Sequence, residues 1–516
     1  DRLNLTFGLR YDELSTSDAP TEIPKFVEVY GFSNTATLDG IDLLQPRFSA
    51  DLAIDDVSSL NFSMGRYMGR NPMVWVSNSY NYGANPLFNE RTDRNCSGLA
   101  VQGSLDPCVV ASFDNFDASE IMGDMDFIAP DLEAPFDDRY SLVYKTLVDM
   151  TPIGLGPNWD LTASYIRINK RKEFVTRKIS GVGAPNGFYP GTPSERYPDG
   201  KVVHQDSGYY GGIYPDNYVF GLYTQGAGSK AENITLELAK YFDNDIDLYF
   251  AYNGNDATEL SPLTSSRAAS NTPNNVWTGN QFNYPVSKRS IYETEHKFVL
   301  SLIINRNHFA NLNTSYGFTF TRKSGNPYSW TFDAGRSEPW DGYRNNSFGL
   351  EYDLNRRNSG LLYIPTADDP NVCYGSCENP DDAFKAQFLD VIAALGLSDY
   401  AGSVVPAGTH THNWVTTSTF QIRQELPGLY EGHSGEIYFT MNNFLNFLND
   451  EWGRVDYGMY NGIRPLVRFT TTDDLSKYIY TGFSSDSFDP DNPDGAWRTS
   501  GYQSVWRARI GFKYRF

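Results

Sequence analysis

Residues 504–516 read SVWRARIGFKYRF. Counted back in twos from the end, one parity is Phe516, Tyr514, Phe512, Ile510, Ala508 and Trp506. The other is Arg515, Lys513, Gly511, Arg509 and Arg507. Side chains that alternate this strictly lie on opposite faces of a β-strand, and no helix sorts them so. The aromatic residues sit at the ends of the apolar face, where a membrane-interface girdle would lie. A soluble edge strand with so regular an apolar face would need a covering layer.

The same period recurs along the chain. In residues 2–12, Leu3, Leu5, Phe7, Leu9 and Tyr11 alternate with Asn4, Thr6, Gly8, Arg10 and Asp12. Ile234, Leu236 and Leu238 alternate with Thr235, Glu237 and Ala239, and Leu312 to Phe320 repeats the pattern. About sixteen such segments can be read. The connections at 55–58, 151–158, 243–245 and 305–310 are short. Those at 13–45, 70–138, 170–215 and 255–290 are long and rich in Gly, Pro, Asn, Asp and Tyr. Short turns at one end and long loops at the other mark a transmembrane β-barrel. Parity requires an even number of crossings in 170–225, where only 216–225 is convincing, so a missed strand is expected near 172–179. One helix is predicted over 381–397, with Phe384, Phe388, Ile392 and Leu395 on one face, Asp381 and Asp382 at its start and Gly396 at its end.

Composition agrees. The chain has 516 residues, is 15% aromatic and 20% charged, and carries a net charge of −21. It is too aromatic to be disordered, and that charge excludes a general nucleic-acid surface. No run reaches the ~18 apolar residues of a membrane helix, whereas a spanning strand needs only ~9–11 residues with alternate ones apolar. A mean hydropathy of −0.47 therefore suits a barrel with one lipid-facing side and a polar lumen. The expected fold is all-β: a large antiparallel barrel over residues 1–516 as one domain, with sixteen to eighteen strands visible, long extracellular loops and one loop helix. The chain opens at Asp1 without Met or signal peptide and reads as a mature or truncated product. Four cysteines form two close pairs, Cys96 with Cys108 and Cys373 with Cys377, read as local disulfides.

A terminal Phe516 preceded by Tyr514, Phe512, Ile510 and Trp506 resembles the assembly signal of bacterial outer-membrane proteins. Further segments carry a more specific likeness: 2–12 (RLNLTFGLRYD), 44–48 (LQPRF), 325–329 (GNPYS), 361–365 (LLYIP), 421–427 (QIRQELP) and 442–453 (NNFLNFLNDEWG). In this order they resemble the barrel portion of a TonB-dependent outer-membrane transporter, most like the Oar-type branch. That resemblance implies a 22-stranded barrel, an internal plug and a TonB-contacting segment. Neither plug nor contacting segment is visible here, and the chain reads as starting several strands into the barrel. It also implies the outer membrane and lipopolysaccharide as surroundings, the barrel-assembly machinery and the TonB complex as partners, and a bulky solute as cargo. A passive porin-like channel and a secreted carbohydrate-binding β-protein are the alternatives.

No HExxH, GxSxG, Walker-type or GxGxxG motif occurs, so no enzyme is expected. His410 and His412 could place two imidazoles on one side of a strand for a metal, but a polar loop pair is the favoured reading. The oxygen-rich run 489–495 could hold calcium but lacks EF-hand spacing, so no cofactor is assigned. The acidic pairs Asp368–Asp369, Asp381–Asp382 and Asp473–Asp474 read as solvated loops. The loops carry many aromatics expected to be exposed: Trp75, Tyr80, Tyr82, Tyr209, Tyr210, Tyr214, Trp277, Tyr284, Trp330 and Trp340. Flat rings beside Asn, Asp and Arg suit a sugar or peptide ligand.

Overall fold

The structure, a computed structural model, describes residues 2–69, 73–81, 125–179, 196–201, 219–266, 268, 271, 275–279, 283–333, 360–458, 462–472, 474–484, 488–493 and 498–516. Twelve strands follow one another as a single antiparallel wall: β1 (Leu3–Glu13), β2 (Asp42–Ala53), β3 (Ser59–Met68), β4 (Phe136–Met150), β5 (Gly156–Lys178), β6 (Lys230–Phe242), β7 (Ile246–Glu259), β8 (His296–Phe309), β9 (Leu312–Lys323), β10 (Val415–Pro427), β11 (Ser434–Asn442) and β12 (Arg507–Arg515). Among the described residues, no strand pairs with the outer edge of β1 or of β12. The fold is all-β and of barrel-wall type. Twelve wall strands are fewer than the alternation suggested, because further short strands pair with one another among the loops.

Register keeps the two faces apart across the whole wall. Leu5 pairs with Ala50, Ala50 with Phe62, Phe62 with Leu142, Leu142 with Tyr165 and Tyr165 with Ile234. Farther on, Leu238, Phe250, Leu300 and Phe320 stand side by side, then Phe318, Phe420, Met441 and Ala508. The opposite face runs Ser301, Thr319, Thr419, Asn442 and Arg507. A slip of one residue in any pair would put that strand's apolar set on the polar side. Among the described residues no second sheet covers the apolar face: Phe7 is 77% exposed and Ile510 72%.

Connections of two to six residues join the wall strands at one end, and connections of 28 to 91 residues at the other. The β8–β9 turn needs positive φ at both central residues, and Ala310 and Asn311 have φ 51 and 57. Between 170 and 225 the described residues add no crossing, since β5 and β6 are direct neighbours in the wall. β5 is 23 residues long and its first part pairs with β6. Its projecting part, Lys172–Lys178, pairs instead with strand Val219–Gly226. The segment expected as a missed strand is the continuation of β5 beyond the wall.

The long connections build a unit of their own. A five-stranded sheet runs in the order Val372–Tyr374, Tyr478–Phe483, Ile463–Thr471, Pro327–Asp333, His410–Thr411. It draws from connections far apart in sequence; Ser329, for example, lies parallel to Ile463. Helix Asp382–Ala394 packs on it through Phe388, Val391 and Ile392. The Asp381 side chain accepts the Phe384 N–H at 2.9 Å, the predicted cap. Cys373 and Cys377 form a disulfide; Cys96 and Cys108 lie outside the described residues.

Candidate ligand site beneath the loop unit

Between the polar face and the loop unit lies a recess of about 670 Å³. Its floor comes from strand residues: Thr321 and Lys323 of β9, Thr417 and Thr419 of β10, Asn442 of β11 and Arg507 of β12. Alternation places these side chains on one face, and register brings them together. Its roof comes from the connections, with Tyr292, Asn326, Pro327, His412, Asp456 and Tyr457. Asn326 holds its loop in place by donating from Nδ2 to the Ile291 carbonyl at 3.0 Å. The Asp456 carboxylate accepts from Asn413 Nδ2 at 2.8 Å and from the Thr499 hydroxyl at 2.7 Å. The Arg507 guanidinium lies over the Tyr502 ring at 3.9 Å.

Asn443 closes one corner. It is buried, its Nδ2 donates to the Gly453 carbonyl at 2.9 Å, and its Oδ1 has no hydrogen-bond partner. Burying an acceptor unpaired costs about 1–3 kcal/mol, and this oxygen packs against Gly453, where no side chain would fit. The His412 ring lies tilted against the Tyr328 ring, 4.8 Å between centroids. Burial, and then the nearby Arg464 guanidinium, push its pKa down to about 4. It is therefore a neutral hydrogen-bonding group at neutral pH, not an acid. Hydroxyls, amides, one ammonium, one guanidinium, the Asp456 carboxylate and the His412 imidazole converge here. Such a set can hold a polar solute by hydrogen bonds.

Both ring nitrogens of His410 are held by protein partners. The indole N–H of Trp330 donates to His410 Nδ1 at 3.0 Å, so the proton resides on Nε2, which donates to the Leu395 carbonyl at 3.0 Å. That chain ties the sheet to the end of helix Asp382–Ala394. The exposure expected for Trp277 and Trp330 does not hold. They are 2% and 0% exposed and sit at the centre of the loop unit with Phe332, Phe388, Tyr478 and Tyr480. Large rings in short strands covered on both sides are core, and loop position in the sequence conceals this.

The other loop aromatics are scattered. Trp75 is half-buried and donates to the Ser265 carbonyl at 2.9 Å. Tyr80 donates to the Asp18 carbonyl at 2.7 Å. Tyr284 is exposed, with the Arg177 guanidinium 4.6 Å from its ring. None of these three lines the recess. Tyr82, Tyr209, Tyr210, Tyr214 and Trp340 lie outside the described residues. At the terminus, Trp506, Ile510, Phe512 and Phe516 are exposed on the apolar side. Tyr514 is half-buried and its hydroxyl accepts the Leu429 N–H at 2.9 Å, pinning β12 to the β10–β11 turn. Reading the sequence missed the recess itself. The available signal was the polar parity of β9 to β12 next to the quoted segments 325–329 and 442–453, which both reach it.

No protein-family description and no curated protein matches the chain. Among solved structures, it is similar to the outer membrane transporter YddB from Escherichia coli, at 11% identity and a TM-score of 0.39, with 86% of this chain and 40% of that one covered. It is also similar to a mutant of the ferric enterobactin receptor PfeA from Pseudomonas aeruginosa, at 9% identity and a TM-score of 0.36, with 85% and 38% covered. The chain thus spans about two fifths of the length of those two proteins.

Proposed function

We propose that this chain is the wall and loop unit of a TonB-dependent outer-membrane receptor of the Oar-type branch, importing a bulky polar solute. The observation that carries the reading is an apolar face that register keeps continuous across twelve strands and that is exposed in most of them, backed by a polar face. Lipid offers no hydrogen bonds, so a spanning sheet must pair its backbone internally while needing only one apolar side. That exposure favours a lipid-facing wall over a secreted carbohydrate-binding module. The recess offers the solute a place at the top of the lumen, beneath the loops. Segments 325–329 and 442–453, two carriers of the Oar-type likeness, border it. Energy would come from the inner-membrane proton gradient through TonB, acting on chain outside these residues. The barrel-assembly machinery would read Trp506, Ile510, Phe512, Tyr514 and Phe516, and the long loops would face lipopolysaccharide. No covalent chemistry and no cofactor belong to this reading.

The test is a two-part measurement on the full-length protein in its membrane. Binding of a panel of glycans, peptides and metal chelates is measured by calorimetry, then repeated with Lys323→Ala and Arg507→Ala. We expect one class to bind and both substitutions to weaken it about tenfold, the ~1.5 kcal/mol typical of a hydrogen bond to a charged group. Uptake of that solute should stop when the proton gradient is collapsed. Uptake that continues would point to a passive channel. Extraction of the protein without detergent would overturn the membrane reading altogether.

A further inference from the structure

The connection from β11 to β12 leaves the wall on an unexpected side. Asn443 takes φ 54, in the left-handed region, and the short helix Phe444–Leu448 follows. This helix lies on the apolar face, not over the recess. The Phe444 ring meets Phe420 at 5.5 Å and Phe318 at 6.4 Å. The Leu445 N–H donates to Ser418 Oγ at 2.9 Å, and Ser418 shares its parity with Phe420. Beneath the helix Met441 is only 9% exposed, whereas Ile437 on the same face is 41% exposed.

Residues 443–453 close into a compact lobe. The Asn443–Gly453 hydrogen bond ties its ends. Asn446 Nδ2 donates to the carbonyls of Asp450 and Trp452, and its Oδ1 accepts the Trp506 N–H at 3.2 Å. A lobe so tied has no need of further packing, yet Phe447, Leu448 and Trp452 are each more than half exposed. Trp506 meets Phe447 edge-on at 5.4 Å. Asn449, Asp450 and Glu451 form an exposed polar tip beside them. The belt continues along the same end of the wall, where Trp414 stacks on His296 at 6.0 Å and carries the Arg322 guanidinium at 5.3 Å.

We infer that the lobe 443–453 is a lipid anchor: Phe447, Leu448 and Trp452 enter the boundary between acyl chains and headgroups of the leaflet facing the long loops. The inference rests on the lipid-facing reading of the wall, and the patch is continuous with that face through Phe444, Phe420 and Phe318. Aromatic rings with a polar edge favour this boundary, and the acidic and amide tip stays in water. Seated so, the lobe fixes how deep the wall sits and holds the corner of the recess at Asn443 at a set height above the bilayer.

Photo-crosslinking of the full-length protein in palmitoyl-oleoyl-phosphatidylcholine vesicles tests this. Benzoylphenylalanine is placed at Phe447 in one sample and at Phe512, in the wall, in another. Lipid adducts at both positions are expected. Lipid at Phe512 with only protein adducts or none at Phe447 would overturn the anchor and leave the wall standing. No lipid adduct at either would overturn both. A second measurement leaves position 447 untouched. In vesicles containing dibrominated phosphatidylcholine, Trp452→Phe should lower the lipid-quenched share of tryptophan emission. An unchanged quenched share would place Trp452 away from lipid and overturn the anchor.

Discussion

The wall and the loop unit use the same kinds of side chain in opposite ways. In the wall, Leu5, Leu142, Ile234 and Phe512 point outward and meet no protein layer. In the loop unit, Trp330, Phe332, Leu362 and Tyr480 are almost wholly buried against one another. Wall strands are long and paired with sequence neighbours. Loop-unit strands are short, and some are parallel and joined across more than a hundred residues, as Val372 is to Tyr478. The wall therefore owes its stability to backbone pairing and to its surroundings, whereas the loop unit depends on a conventional packed core. The two should respond to different insults.

The sharpest contrast is expected from Trp330→Ala. Removing a fully buried Trp costs about 3–5 kcal/mol. The loop unit should become protease-sensitive, while the wall keeps its resistance to SDS before heating. Loss of that resistance would mean that the two regions are one cooperative body. Next comes Leu236→Arg against Thr235→Arg. On a lipid-facing side the arginine costs about 2–4 kcal/mol near the bilayer midplane, and on the polar side it costs little. Equal effects in vesicle refolding titrations would erase the distinction between faces.

Cys373→Ser should be milder and confined to the loop unit. The bridge spans four positions, and closing so small a ring is worth about 2 kcal/mol by chain entropy. Cys373 and Cys377 should not react with a thiol probe until reduced; labelling without reductant would refute the bridge. The smallest effect is a pH dependence. The His412 pKa is lowered to about 4, below the ~6.5 of an unfolded chain. The unfolded state then binds more protons, so loop-unit stability should fall as pH drops from about 6.5 toward 4. Protease sensitivity should rise over that window in the parent and less in His412→Gln.

The wall was legible because alternation is a local property: a short stretch such as 2–12 announces both faces. Crossing direction followed from connection lengths. What failed at 170–225 was the assumption that every strand crosses; β5 simply continues past the wall and takes a return strand there. The loop unit was not legible, apart from helix Asp382–Ala394 and its Asp381 cap. Its strands are short and buried on both sides, so the brief alternation from Ser329 to Asp333 does not tell core from loop, and its partners lie in distant connections. Trp277 and Trp330 were read as exposed for that reason. The recess was hidden likewise: Thr321, Thr417, Asn442 and Arg507 become neighbours only once register is known.

The central claim is that the apolar face meets hydrocarbon. A nitroxide scan through residues 233–238 of β6 in lipid vesicles tests it most directly, by comparing accessibility to oxygen, which partitions into lipid, with that to a water-soluble nickel chelate. Positions 234, 236 and 238 should favour oxygen, and 233, 235 and 237 should favour nickel, with a period of two. Nickel accessibility at every position, or protection from both reagents at 234, 236 and 238, would contradict it.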